Sequence, residues 1–190
     1  MKIVVINLKG GVGKTPISFN IARDFDMDII TNDHSALEMI YDDRTTVTND
    51  LVLNDNTVYD LGGFTSHGID NVIGEADLVV VPCFNDYSSM SQTISTLNQL
   101  ENPKRVVVAV TKTENKDFQI VTEELSKHFD GLEYFEFGLT KAFKSSTEYG
   151  ESIIELMAKD KVINNWYKTY AKKYIYPFHT FLFKIKSEAV

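Results

Sequence analysis

Short apolar runs rich in β-branched residues recur along the chain, separated by stretches in which apolar positions return at helical spacing. Residues 2–8 (Lys-Ile-Val-Val-Ile-Asn-Leu), Ile29-Ile30, Thr57 to Leu61, Leu78 to Pro82, Val106 to Val110 and Tyr134 to Phe137 read as strands. Successive strand side chains point to opposite sides, so a run that is apolar at nearly every position implies a strand covered on both faces. After the first run and a glycine cluster, Ile17, Ile21, Ala22 and Phe25 mark a helix, with Pro16 in the first turn, where its missing N–H is harmless. Residues 34–41, 66–75, 87–101 and 117–129 are further helical candidates, and 151–174 is a long one that Pro177 is expected to end. Strands alternating with helices predict an α/β fold, a doubly wound, mostly parallel sheet flanked by helices, with residues 1–190 forming one domain.

Composition narrows the setting. A chain of 190 residues with 43% hydrophobic and 24% charged residues can bury one good core. Its single cysteine, Cys83, has no internal disulfide partner, and no secretory segment or apolar run of about 18 residues is present, so a cytoplasmic location is expected. Cys83 follows an apolar strand run and reads as a buried, inert thiol. The net charge of −8 is unevenly spread: residues 159–190 carry seven lysines against Asp160 and Glu188, a net +5, which leaves −13 for the rest. In this basic C-terminal helix and tail, lysines interleave with Trp166, Tyr167, Tyr170, Tyr174, Tyr176, Phe178, Phe181 and Phe183. Such a segment can contact DNA phosphates, lie at a membrane interface or pack onto the sheet. Ile163, Trp166, Tyr170 and Tyr174 fall close to one helical face, which makes packing the default expectation.

The strongest chemical signal is Lys9-Gly10-Gly11-Val12-Gly13-Lys14-Thr15. A strand leading through a glycine-rich turn into a helix gathers backbone N–H groups and the positive helix end around one small volume, an anion site. Gly10, Gly11 and Gly13 permit close backbone approach, Lys14 supplies a point charge to β and γ phosphates, and the Thr15 hydroxyl is placed for Mg²⁺. Val12 and Pro16 complete the cradle. Average residue frequencies give a chance match of order ~10⁻⁴ or less in a chain of this size. A nucleotide's phosphates with Mg²⁺ are therefore the expected ligands of the loop.

The general nucleotide loop has a glycine where Leu8 stands, and this chain carries Lys9 after it. In that form the loop resembles the deviant Walker A signature of the ParA/MinD group of P-loop ATPases, of the SIMIBI class. The resemblance spans residues 1 to about 158 and implies that Lys9 reaches across an ATP-dependent homodimer to the partner's phosphates, as an arginine finger does in trans. Asp60, followed by Leu61-Gly62-Gly63, resembles the family's Walker B acid and would hold the metal's water shell; a turn-capping aspartate is the other reading. Asp33, in Thr31-Asn32-Asp33-His34, matches the second acid of the family's Asp-x-Asp-Pro-Gln segment, assigned to positioning the catalytic water, although Thr31, His34 and Ser35 depart from that pattern. Asn32 and Asp33 as simple turn formers remain the alternative. His34 has no second ligand at metal spacing and reads as a polar loop residue.

At the base end, Thr111-Lys112 stand where the family commonly has an adenine-contacting asparagine. Thr111-Lys112-Thr113-Glu114 keeps only the lysine of the GTPase segment Asn-Lys-x-Asp, so ATP is preferred. Leu139-Thr140-Lys141 with Tyr149-Gly150-Glu151-Ser152 look like the family's late segment, a loop near the base leading through a glycine to a helix. The resemblance implies a small ParA-type ATPase of plasmid or chromosome partition, nucleoid-associated. It would dimerise on ATP, bind non-specific DNA and hydrolyse ATP when a centromere-binding, ParB-like partner stimulates it. With no room for an N-terminal helix-turn-helix, sequence-specific DNA binding is not expected. A MinD-like membrane positioning ATPase and a metabolic P-loop enzyme akin to dethiobiotin synthetase are the alternatives, with membrane association the less expected. One cysteine disfavours an iron–sulfur member, and Lys9 argues against the tyrosine-kinase branch.

Overall fold

The apolar runs assemble into one seven-stranded, all-parallel sheet of order β3-β2-β4-β1-β5-β6-β7. In this computed structural model, which describes residues 1–188, the elements in chain order begin with β1 (Lys2–Ile6), α1 (Lys14–Phe25), β2 (Asp28–Thr31), α2 (Leu37–Ile40), β3 (Thr45–Val47), β4 (Thr57–Leu61) and α3 (Ile69–Glu75). They continue with β5 (Leu78–Cys83), α4 (Tyr87–Gln99), β6 (Val106–Thr113), α5 (Asp117–Leu125), β7 (Glu133–Gly138) and α6 (Ala142–Tyr149). The last helices are α7 (Ile153–Lys159), α8 (Lys161–Tyr170) and α9 (Tyr176–Glu188). Residues 189 and 190, the end of the expected tail, lie outside the described residues.

The central strand β1 is where the sheet changes its winding direction, with β4 on one side and β5 on the other. In a parallel sheet the loops at the carboxyl ends of such strands diverge and open a crevice. The phosphate loop leaves β1 at that point. The two faces of β1 explain its continuous apolar run: Ile3 and Val5 join a core with α1, α7 and α9, while Val4 and Ile6 join one with α3, α4 and α5. All four are fully buried. Burial on both faces is the main stabilising contribution of the central strands.

Several boundaries differ from the sequence expectation for identifiable reasons. The first strand stops at Ile6, since Asn7 turns its amide into the core. Only Leu37–Ile40 of 34–41 is helical, because the Ser35 hydroxyl and Glu38 carboxylate bond backbone N–H groups at its start. The candidate 66–75 begins at Ile69, after backbone bonds tie His67 to Asn49 and Leu51 and Gly68 turns left-handed. An unforeseen edge strand, β3, pairs its three residues with β2.

The long helix expected over 151–174 is broken, and Pro177 does not end it. Asp160 accepts from the N–H groups of Val162 and Ile163 and caps a fresh helix, α8. A π turn over Ala171–Ile175 then shifts the helical register. Pro177 consequently falls in the first turn of α9, where its absent donor costs little. The inward face also differs: Trp166 is 69% exposed, and Tyr167 packs inward in its place, with its hydroxyl 3.0 Å from Ser145 Oγ.

Candidate functional site

The phosphate loop is held open by contacts from several elements. Asn7, fully buried, donates to the Pro82 carbonyl at 2.7 Å and to Thr93 Oγ1 at 2.8 Å, and its own oxygen accepts from Lys9 N at 2.8 Å. Leu8 N donates to Thr96 Oγ1 at 3.1 Å. Thus α4 anchors the entry of the loop through the hydroxyls of Thr93 and Thr96. Gly11 and Gly13 take φ of 77° and 97°, the left-handed region that a side chain disfavours, and Gly13 caps α1. Val12 is buried, and Pro16 occupies the first turn.

Lys14 and Lys9 meet through the backbone: Lys14 Nζ donates to the Lys9 carbonyl at 3.0 Å. Burial pushes the Lys14 pKa down, against the opposing pull of Asp60 and Asp33. Thr15 Oγ1 donates to Asp60 Oδ2 at 2.8 Å, and Ser18 Oγ donates to Asp60 Oδ1 at 3.0 Å. Asp60 is 4% exposed, and burial raises its pKa in spite of those hydroxyls and Lys14. Ser18 was not anticipated, though it stands one helical turn after Thr15 and so faces the same way. One buried carboxylate joined to the loop threonine suits Mg²⁺, which is commonly bound by one or two carboxylates together with phosphates and water. Among the described residues no group of three or more His, Cys, Asp or Glu forms an all-protein metal cage.

Asp33 is exposed at the rim, where the Thr31 hydroxyl bonds both its N–H and its carbonyl at 3.2 Å. Its carboxyl lies beside Gly62: a Cβ there would stand 3.9 Å from Asp33 Oδ2. Asn32 links the two loops, accepting from Gly62 N at 2.8 Å and donating to Ser66 Oγ at 2.8 Å. Sequence reading left Asn32 as a turn former; its partners lie 30 and 34 residues away, beyond any local pattern. His34 pairs with Glu38 on the surface.

Beside the loop opens a cleft of about 340 Å³ between Gly13, Pro16 and Ile17 on one side and Phe137 to Thr140, Phe143, Lys144 and Thr147 on the other. Thr111 and Lys112 line it, but their polar atoms serve the loop: Thr111 Oγ1 donates to the Val12 carbonyl at 2.9 Å, and Lys112 Nζ donates to the Gly11 carbonyl at 2.9 Å. Lys112 can reach back because it sits in a bulge of β6 with φ of 55°. Its ammonium also lies 5.0 Å from the centre of the Phe84 ring. Cys83 is buried, and burial raises its thiol pKa, consistent with an inert core residue.

No protein-family model matches the chain, and no curated protein matches its sequence. Solved structures do match. The ATP complex of a Cyanothece McdA variant is 14% identical with a TM-score of 0.54, covering 90% of this chain and 95% of that one. Apo McdA is 16% identical with a TM-score of 0.58, covering 84% and 94%. MinD from Aquifex aeolicus is 15% identical with a TM-score of 0.53, covering 84% and 90%. The chain thus has the doubly wound fold of ParA/MinD-type P-loop proteins.

Proposed function

We propose that the chain is a ParA/MinD-type ATPase, a positioning or partition protein that binds ATP with Mg²⁺ and works as an ATP-dependent homodimer. The observation that carries this is the joined set Lys14, Thr15, Ser18 and Asp60 under a loop that begins with Lys9. A half-buried ammonium and a buried carboxylate in one site are costly alone, and phosphate and a divalent cation offset both charges. Mg²⁺, when bound, neutralises charge building on the phosphates. Lys14 contacts the phosphates, Thr15 and Asp60 hold the metal and its water, and Asp33 orients the attacking water from the rim. Lys9 crosses to the partner's nucleotide, so dimerisation and turnover are one event. The apolar cleft beside Pro16 takes the adenine.

In its finer form this reading is partition of plasmid or chromosome DNA: the dimer binds non-specific DNA on the nucleoid through the basic C-terminal helices, and a centromere-binding, ParB-like partner stimulates hydrolysis and release. The test is DNA retention with and without ATP, alongside light scattering, for wild type and Lys9→Ala. Wild type should dimerise and be retained only with ATP, and Lys9→Ala should lose both while still binding nucleotide. Equal dimerisation and hydrolysis by the two proteins overturns the trans-lysine mechanism. A MinD-like membrane reading draws on exposed Val162 and Trp166 among lysines. Liposome sedimentation separates it, since no helix among the described residues is long and apolar enough to cross a bilayer and only surface binding is at issue.

A further inference from the structure

The C-terminal helices meet the wall of the cleft at Phe137, Phe143 and Gly138, the last residue of β7. One side of Gly138 lines the cleft. On the other, the Tyr170 hydroxyl donates to its carbonyl at 3.2 Å. The Tyr174 ring lies so close that a Cβ on Gly138 would stand 2.8 Å from the phenol oxygen and 2.9 Å from Cζ. The two tyrosine rings pack together with centroids 4.8 Å apart, and Tyr170 also meets Phe143, a wall of the same cleft, edge-on at 6.5 Å. Lys173 Nζ donates to the Tyr174 hydroxyl at 2.7 Å and stands 3.8 Å from Glu136 Oε2. Glu136 Oε1 in turn accepts from Thr113 Oγ1 at 2.8 Å, next to the bulge that aims Lys112 at the phosphate loop.

Core filling alone does not call for these hydroxyls. Nearby, Phe135, Phe137, Phe178 and Phe181 pack ring against ring with no polar atoms. Phenols aimed at the backbone of β7 gather instead around the π turn Ala171–Ile175, a feature that recurs at functional sites in helices. Ala171 and Ile175 are buried in the core cluster that also holds Ile3 and Val5, which seats the turn on the sheet. Burial, with Tyr174 and Glu136 close by, raises the Tyr170 pKa above that of a free phenol.

We propose that Tyr170 and Tyr174 are positioning residues for the nucleoside: they set the Gly138 peptide that walls the cleft, and so couple nucleotide binding to docking of the arm 161–188. This rests on the reading of the cleft as the nucleoside pocket. Coupling of this kind is reciprocal, so a ligand that needs the wall in place favours the docked arm by the same factor with which the docked arm favours the ligand. Triphosphate alone, held by the loop, gains nothing from the wall. The arm also presents Trp166, Lys168 and Lys172 to solvent, which gives the nucleotide a route to that surface.

The experiment compares binding of ATP and of inorganic tripolyphosphate, each with Mg²⁺, to the full chain by calorimetry, together with hydrogen exchange of the arm amides. Wild type should bind ATP more tightly, and ATP but not tripolyphosphate should slow exchange over 161–188. Tyr170→Phe keeps the ring and removes one hydrogen bond. It should weaken ATP binding about three- to tenfold, leave tripolyphosphate binding unchanged, and reduce the ATP-induced protection by the same factor. Gly138→Ala pushes Tyr174 away from the cleft side and should give the same split. Equal weakening of both ligands marks a merely structural role and overturns the proposal, as does unchanged ATP affinity in both variants. If wild type itself binds tripolyphosphate as well as ATP, the cleft is not a nucleoside pocket and the coupling falls with it.

Discussion

Asp60 is the buried carboxylate that faces the phosphate loop. Its two oxygens are taken by Thr15 and Ser18, and it is almost fully buried, which raises its pKa. The folded protein therefore holds this proton more tightly than the unfolded chain does. The stability it contributes is complete below the unfolded value of about 4 and is lost as pH rises through the raised native value. Asp60→Asn is neutral throughout, so it should melt above wild type at neutral pH, with the gap closing as pH falls towards 4. The same change should weaken Mg²⁺-dependent ATP binding by about tenfold or more, because it removes the acid of the proposed metal site. Thermal melts across this range with calorimetry at pH 7 check both; a melting gap that does not change with pH contradicts the buried-anion account. Ser18 and Asn7 show what a residue-level reading misses: Ser18 donates to a residue 42 positions away, and Asn7 to residues 75 and 86 positions away.

Helix α1 carries the loop at one end, and its other end is fixed to α7. Arg23 makes two bonds to Glu155, at 2.9 and 2.7 Å, and Glu155 also completes the capping box with Ser152. Burial pushes the Glu155 pKa up, but the Arg23 hydrogen bond and the Ser152 N–H outweigh it, so the net shift is downward. That stability is present above the unfolded value of about 4.3 and lost as pH falls through the depressed native one. Glu155→Ala removes the ion pair and one capping contact and should cost about 2 kcal/mol, or about 4–8 °C in melting temperature near pH 7, with the difference shrinking in acid. Asn20 reinforces the same joint, donating to Ser146 Oγ and accepting from Ile153 N. Elements were legible where one strand or helix held its own signal: β5 and β6 follow continuous apolar runs. They were illegible where a neighbour decided the outcome. The three residues of β3 are too few to carry a period and exist through pairing with β2. Pro177 reads as a stop until the π turn moves it into a first turn. The phosphate loop was legible because its parts are contiguous in sequence, whereas the cleft beside it is built from residues 13 to 147 and needs the fold.

At the scale of the whole molecule, charge is segregated: residues 159–190 carry a net +5 and the remainder −13. In the proposed DNA complex the basic C-terminal segment would therefore face the polyanion and set its orientation. Within the arm the lysines are not equivalent. Lys173 is committed to Glu136 and Tyr174, and Lys159 pairs with Glu151, while Lys168 and Lys172 are exposed on α8 and the π turn. If these two neutralise phosphates, each accounts for about one unit of the slope of log affinity against log salt. The double variant Lys168→Gln with Lys172→Gln should therefore make the slope for ATP-dependent DNA retention shallower by about 2, to the same extent on unrelated sequences. Its DNA-free ATP turnover and dimerisation should match wild type, because neither lysine reaches the phosphate loop or the cleft. Retention measured over a salt series on two unrelated duplexes decides the matter: an unchanged slope moves the DNA face off the arm, and a loss confined to one duplex replaces backbone contact by sequence readout. In the first of those cases the exposed Trp166 face would have to serve a partner other than DNA, whereas in the second the arm would still be the DNA face.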